Sequence, residues 1–152
     1  MSKTQIPEIE QPIGRRLSLV ARDFLCLLNS KLTHLDLERH YYALVLIDKA
    51  DGEMTQQDLA TKLDVDKVSM VRIIDYLTEM NYVLRVPNDT DRRKYSLTLT
   101  AKAKGELENI KAAINATQIQ AFNGLTDLQI NEFYNTLSII QQNIKRKCSR
   151  CE

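Results

Sequence analysis

Between Thr55 and Thr100 the chain spells two short helices and then two strand-like segments, joined by a turn that contains Asp91-Arg92-Arg93-Lys94. Few folds accept that order in so short a length, because the helices must bury their apolar sides together and the hairpin must return beside the second helix. Thr55-Gln56-Gln57-Asp58 opens the first helix with a hydroxyl cap and a carboxylate three residues on. That pairing satisfies the free N–H groups of a first helical turn. Leu59, Ala60 and Leu63 give this helix a side to bury. Asp66 caps the next helix, in which Met70, Ile73, Ile74 and Leu77 recur at the steps that align on one inward face.

On the opposite side, at roughly 100° per residue, lie Val68, Arg72 and Asp75, flanked by Ser69, Val71 and Tyr76. Such a face can offer a guanidinium to guanine, a hydroxyl to several acceptors and valine methyls to thymine. Val83 to Val86 and Tyr95 to Leu99 read as strands, with Tyr95, Leu97 and Leu99 expected on one side and Ser96 and Thr98 on the other. Pro87-Asn88-Asp89-Thr90-Asp91 is turn chemistry, which puts the arginines at or beside the hairpin tip. A helix beside a cationic hairpin suits a nucleic-acid duplex, since the two can enter adjacent grooves.

The flanks carry a different pattern. Residues 1–12 contain Pro7 and Pro12 and read as an extended arm. From Ile13 to about Thr33, Leu17, Val20, Ala21, Phe24, Leu28 and Leu32 recur at helical steps, and Leu19, Leu25, Cys26 and Leu27 widen the face. Cys26 is expected to be a small core residue there. Tyr41 to Ile47 is almost wholly apolar and reads as a buried helix stopped near Asp51-Gly52. After Thr100 the positions Ala103, Leu107, Ile110, Ile114, Thr117 and Ala121 form a seam. Beyond a capping box at Thr126-Asp127-Leu128-Gln129, Ile130, Phe133, Leu137, Ile140 and Ile144 form another. Both seams want a partner helix, from this chain or from a second copy.

Composition narrows the class. A chain of 152 residues, 43% hydrophobic and 27% charged, is one domain's worth of helix-rich protein. Its formal charge of +1 decides nothing, but Arg85, Arg92, Arg93, Lys94, Lys102 and Lys104 crowd one stretch. The start lacks the apolar run of a signal peptide, and Arg22 and Asp23 interrupt the next apolar stretch, so the expectation is a cytoplasmic protein without a membrane span. Three cysteines do not make a disulfide framework. No glycine-rich phosphate loop and no nucleophile-base-acid spacing points to an enzyme, and no cofactor or metal site is expected.

From about Leu17 to Ile144 the chain resembles the MarR family of bacterial transcriptional regulators. The most specific likeness is Asp91-x-Arg93 followed by Leu99-Thr100; Thr55-Gln56-Gln57-Asp58-Leu59-Ala60 is similar to the family's entry into its helix-turn-helix, and Val71 to Leu77 to its recognition helix. Ala103 stands where the family usually has a glycine after Leu-Thr, and Asn81 where a glycine often ends the recognition helix. The resemblance implies a mainly α fold with a small β wing, a winged helix-turn-helix over residues 55–100. The helices at 13–33 and 101–146 would form a dimerisation layer around it, all within one domain of 1–152.

It further implies a homodimer on a pseudo-palindromic operator in double-stranded DNA, most simply a repressor released by a small effector. The DNA contacts would come from Gln56, Lys67, Val68, Ser69, Arg72, Asp91, Arg92, Arg93 and Lys94, with Arg93 in the minor groove and Asp91 orienting it. Arg39, His40 and Tyr41 lie where the family often binds effectors, and Arg39 suits an anionic aromatic one. Against this stands the reading of Tyr41 and Tyr42 as core and of Arg39 as a surface or interlobe charge. Two other readings differ in kind: a redox or metal input through Cys148 and Cys151, which have Cys-x-x-Cys spacing, and a winged-helix module that binds protein rather than DNA.

Overall fold

The computed structural model describes residues 12–37, 39–87 and 95–145. The arm up to residue 11, the turn with Asp91, Arg92, Arg93 and Lys94, and the tail with Cys148 and Cys151 lie outside the described residues. In chain order the elements are α1 (Ile13–Lys31), α2 (Tyr41–Lys49), α3 (Gln56–Leu63), α4 (Lys67–Glu79), β1 (Val83–Pro87), β2 (Tyr95–Leu99), α5 (Ala101–Ala121) and α6 (Asp127–Lys145). This is the mainly helical architecture with one small sheet that the pattern of seams and strands implies.

Helix ends follow the local chemistry. Thr55 and Asp58 form the expected reciprocal box, with the Asp58 N–H donating to Thr55 Oγ1 at 3.1 Å and the Thr55 N–H to Asp58 Oδ2 at 3.2 Å. Thr126 and Gln129 repeat that arrangement at the start of α6. The recognition-type helix α4 gives way to β1 at Asn81, whose φ of 60° is a left-handed turn that an asparagine accepts.

Met70, Ile74 and Leu77 of α4 are fully buried and Ile73 partly, so the inward face is the expected one. They meet Leu59, Leu44, Ile47 and Leu97 in a core spanning α2, α3, the hairpin and α5. The hairpin pairs Val83 with Leu99 and Pro87 with Tyr95. Its alternation is less regular than expected: Ser96 is buried and Tyr95 exposed. Met54 O accepts from the Leu97 N–H at 2.7 Å and Thr55 bridges to Ser96, so the residues before α3 line β2's second edge and cover the serine. Tyr95 lies at the end of the described ladder, opposite Pro87, and is exposed.

The outer helices are only partly used. Leu28 and Leu32 bury the C-terminal end of α1's apolar face, whereas Leu17, Val20 and Leu25 stay exposed. Cys26 is exposed too, contrary to its expected place in the core, because the side of α1 it occupies is left uncovered by the described residues. On α5 the seam is buried at Ala103, Leu107, Ile110 and Thr117 and fades to an exposed Ala121. Helix α6 buries no residue; Phe133 and Tyr134 stack edge-on against Phe122 at centroid distances of 6.2 and 5.8 Å. No described helix is long and apolar enough to cross a membrane.

Candidate nucleic-acid interface

The side of the molecule formed by α3, α4 and the hairpin is built around two caps. Asp66 Oδ1 accepts from the Val68 and Ser69 N–H groups at 2.9 and 3.0 Å, which starts α4 and aims its first turn outward. Hydrogen bonding to Ser69, then to the Val68 N–H, holds this carboxylate below its ordinary value of 3.8. Ser69 is half-buried beside the cap, and Lys67, Val68, Val71 and Arg72 are the exposed part of the face. Val68 is 63% exposed, a large apolar side chain held in solvent. Arg72 makes no hydrogen bond or ion pair among the described residues.

Gln56 is half-buried at the start of α3 and Gln57 exposed. With Thr55, Asp58, Arg85, Tyr95 and Leu97 they line a cleft of about 440 Å³ between α3 and the hairpin. Arg85, from β1, reaches Asp75 of α4 with Nη2 to Oδ1 at 2.6 Å. Gln56 thus faces the cleft beside the hairpin, Lys67, Val68, Ser69 and Arg72 lie on the first turns of α4, and the Arg85–Asp75 pair ties that helix to β1, which leads in sequence to the turn that carries Asp91, Arg92, Arg93 and Lys94. Those four lie outside the described residues.

Arg39 and His40 end the connector between α1 and α2 and Tyr41 begins α2, and the three do not share one environment. Arg39 is exposed. His40 is the residue before α2, at φ 69°, with its ring 6.0 Å from the Tyr76 ring of α4. Burial, then the Arg39 charge, lowers its pKa from the ordinary 6.5. Tyr41 is buried and its hydroxyl donates to Leu37 O, so its core role is realised, whereas Tyr42, expected in the core beside it, is on the outer side of α2 and exposed.

The same connector carries a cluster that the sequence does not announce. Lys102 Nζ, from the first turn of α5, donates to Asp36 Oδ2 at 2.7 Å and to Met80 O, the carbonyl of the residue that caps the C-terminal end of α4, at 3.0 Å. It also sits 4.3 Å from the centre of the Tyr82 ring, and the Tyr82 hydroxyl donates to Asp36 Oδ1 at 2.6 Å. Lys102 and then Tyr82 hold the Asp36 carboxyl below its ordinary value. Burial and Asp36 push the Tyr82 phenol up. Next to it, His34 Nε2 lies 3.2 Å from Glu106 Oε2. Nothing local in the sequence joins residues 66 positions apart. The Arg85–Asp75 pair, 10 positions apart, could have been foreseen from a strand returning beside a helix. Among the described residues no group of His, Cys, Asp or Glu could hold a metal ion.

Comparison with known proteins agrees with this geometry. The MarR family model matches residues 35–94, the region from the connector through the hairpin. A MarR transcriptional regulator from Methanosarcina mazei Go1 is 26% identical with a TM-score of 0.71, covering 90% of this chain and 98% of that one. A MarR protein from Peptoclostridium difficile is 24% identical with a TM-score of 0.77, covering 97% and 96%. A cysteine-to-serine mutant of E. coli MarR, complexed with operator DNA, is 24% identical with a TM-score of 0.74, covering 85% and 93%.

Proposed function

We propose, from the match of residues 35–94 to the MarR family model, that the chain is a MarR-family regulator of transcription that binds double-stranded DNA sequence-specifically as a homodimer. The observation that carries this reading is the outward face of α4, with Val68 and Arg72 held in solvent by the Asp66 cap and backed by a fully apolar inner face. A helix presented in that way beside a hairpin fits a major groove. The operator DNA bound by the E. coli relative supports the same use here.

Two-fold symmetry makes the operator a pseudo-palindrome with recognition helices about one helical turn apart. Most simply, the protein acts as a repressor, and a small anionic or aromatic effector that reaches Arg39 and His40 releases it by moving α4 through Tyr76. Selection of duplexes from a random-sequence library by the purified chain, followed by fluorescence anisotropy, tests the reading. An inverted repeat whose binding weakens steeply with salt is expected. Arg93→Ala is expected to weaken it by about 1–3 kcal/mol if the wing makes a groove contact. No enriched duplex would end the proposal.

A further inference from the structure

Asp75 is a problem for a DNA-binding surface. It stands on the outward side of α4 with 58% of its side chain exposed, one helical turn beyond Arg72, where a bare carboxylate would face the phosphates of a bound duplex. Like charges brought together at an interface oppose binding strongly. The structure answers with Arg85, whose guanidinium meets Asp75 Oδ1 at 2.6 Å and whose side chain is 32% exposed. Arg85 is at the middle of β1, paired with Leu97, and it also lines the cleft against Gln56 and Gln57 at the start of α3. It thus sits where α3, α4 and the hairpin converge. As a stabilising contact, a half-exposed pair is worth little. As a charge arrangement on the side that meets DNA, it decides much more.

We infer that Arg85 is a positioning residue for duplex recognition: it acts through Asp75, neutralising and orienting that carboxylate so that α4 can approach the phosphate backbone. The inference rests on the DNA-binding reading above. It separates Arg85 from Arg72, which has no partner among the described residues and whose charge can go to DNA. Arg85 spends its charge inside the protein and contributes by what it removes.

The test uses the full chain, a duplex that the wild-type chain selects from a random-sequence library, and the variants R85M, D75N and R85M/D75N. R85M is expected to lower affinity about tenfold or more. Adding D75N should restore most of that loss, since the carboxylate needing a partner is then gone. The slope of log affinity against log salt should be near the wild-type value in the double variant, because no phosphate contact has been lost. Wild-type binding by R85M overturns the inference. So does a loss that D75N does not relieve, with the slope shallower by about one unit in both backgrounds, for Arg85 would then contact a phosphate directly. Thermal unfolding checks that each variant folds, and R85Q replaces R85M if the latter does not. A wild-type chain that selects no duplex overturns the DNA-binding reading and this inference with it.

Discussion

Arg72 and Lys67 are both exposed cations on α4, yet their positions give them different work. Lys67 is the first residue of the helix, where a long flexible ammonium can reach backbone phosphate. Arg72 is more than a turn farther along the outward face, where a guanidinium can engage a base edge. Arg72→Ala is expected to cost about 1–3 kcal/mol on the selected duplex and to relax preference at one base-pair position. Lys67→Ala should instead weaken binding to all duplexes alike and make the salt dependence shallower by about one unit of slope. Anisotropy titrations on the selected duplex and on its single-base variants distinguish the two. At this scale the sequence was a good guide to faces and a poor one to partners. The helical period puts Val68 and Arg72 outside, but it says nothing of Ser69 being half-buried beside the Asp66 cap, because periodicity does not register how a first turn packs on its cap.

His40 adds a dependence on pH at the same scale. Its pKa lies below 6.5 in the folded chain because burial against α4 disfavours the imidazolium, with the neighbouring Arg39 charge acting the same way. A depressed value means that the stability contributed by the neutral ring is present above pH 6.5 and is lost as pH falls through the folded pKa. Wild type is therefore expected to lose thermal stability below pH 6.5 more steeply than His40→Asn, measured as melting temperature against pH. Parallel profiles for the two proteins would remove His40 from the account.

Among the elements, the connector between α1 and α2 does more than its length promised. His34 meets Glu106 and Asp36 meets Lys102, both on α5, while His40 rests on α4 and Leu37 accepts from Tyr41. Lys102 joins the two sides, since it also takes up the carbonyl of the residue that caps α4, where a cation suits the helix's negative end. Lys102→Met should lower the melting temperature at pH 7. Asp36 carries a depressed pKa through Lys102, so the pair's contribution is present above 3.8 and fades as pH falls below it. The gap between wild type and Lys102→Met is expected to narrow in strong acid, which melting curves across that range would reveal. Helices, caps and the hairpin were legible because each is written in neighbouring residues. The Asp36–Tyr82–Lys102 cluster was not, since it exists only once three distant segments meet; nor was the burial of Ser96, which depends on Met54 and Thr55 lying along β2.

For the whole molecule, the contrast between inner and outer helices matters most. The core closes around α2, α3, α4, the hairpin and α5, whereas α6 adds no buried residue and the N-terminal half of α1 keeps Leu17 and Val20 exposed. The seam on α6 is accordingly half-covered, with Ile130, Leu137 and Ile140 partly buried and Phe133 and Ile144 exposed. Exposed apolar surface of that extent fits a second copy of the chain. Ile144→Glu, which adds a charge to an exposed apolar position, is expected to shift sedimentation from dimer toward monomer while the lobe keeps its melting transition. A monomeric wild type would count against the homodimer. That the seams seek a partner could be read from their periodicity; that α5 finds much of its own inside the chain and α6 does not could not, because both carry the same spacing.

Among the described residues, α6 hydrogen-bonds to the lobe of α3, α4 and the hairpin where Lys145 and Gln141 reach Asp64 in the turn between α3 and α4. A contact so slight, from a helix with no share in the core, separates two inheritances. In the proposed dimer, substitutions along α6 are expected to change the distance between the two copies of α4 while the chemistry on α4 stays as it was, and changes on α4 to alter the preferred bases without disturbing that distance. A lineage of such proteins could explore operator spacing and operator sequence as independent traits.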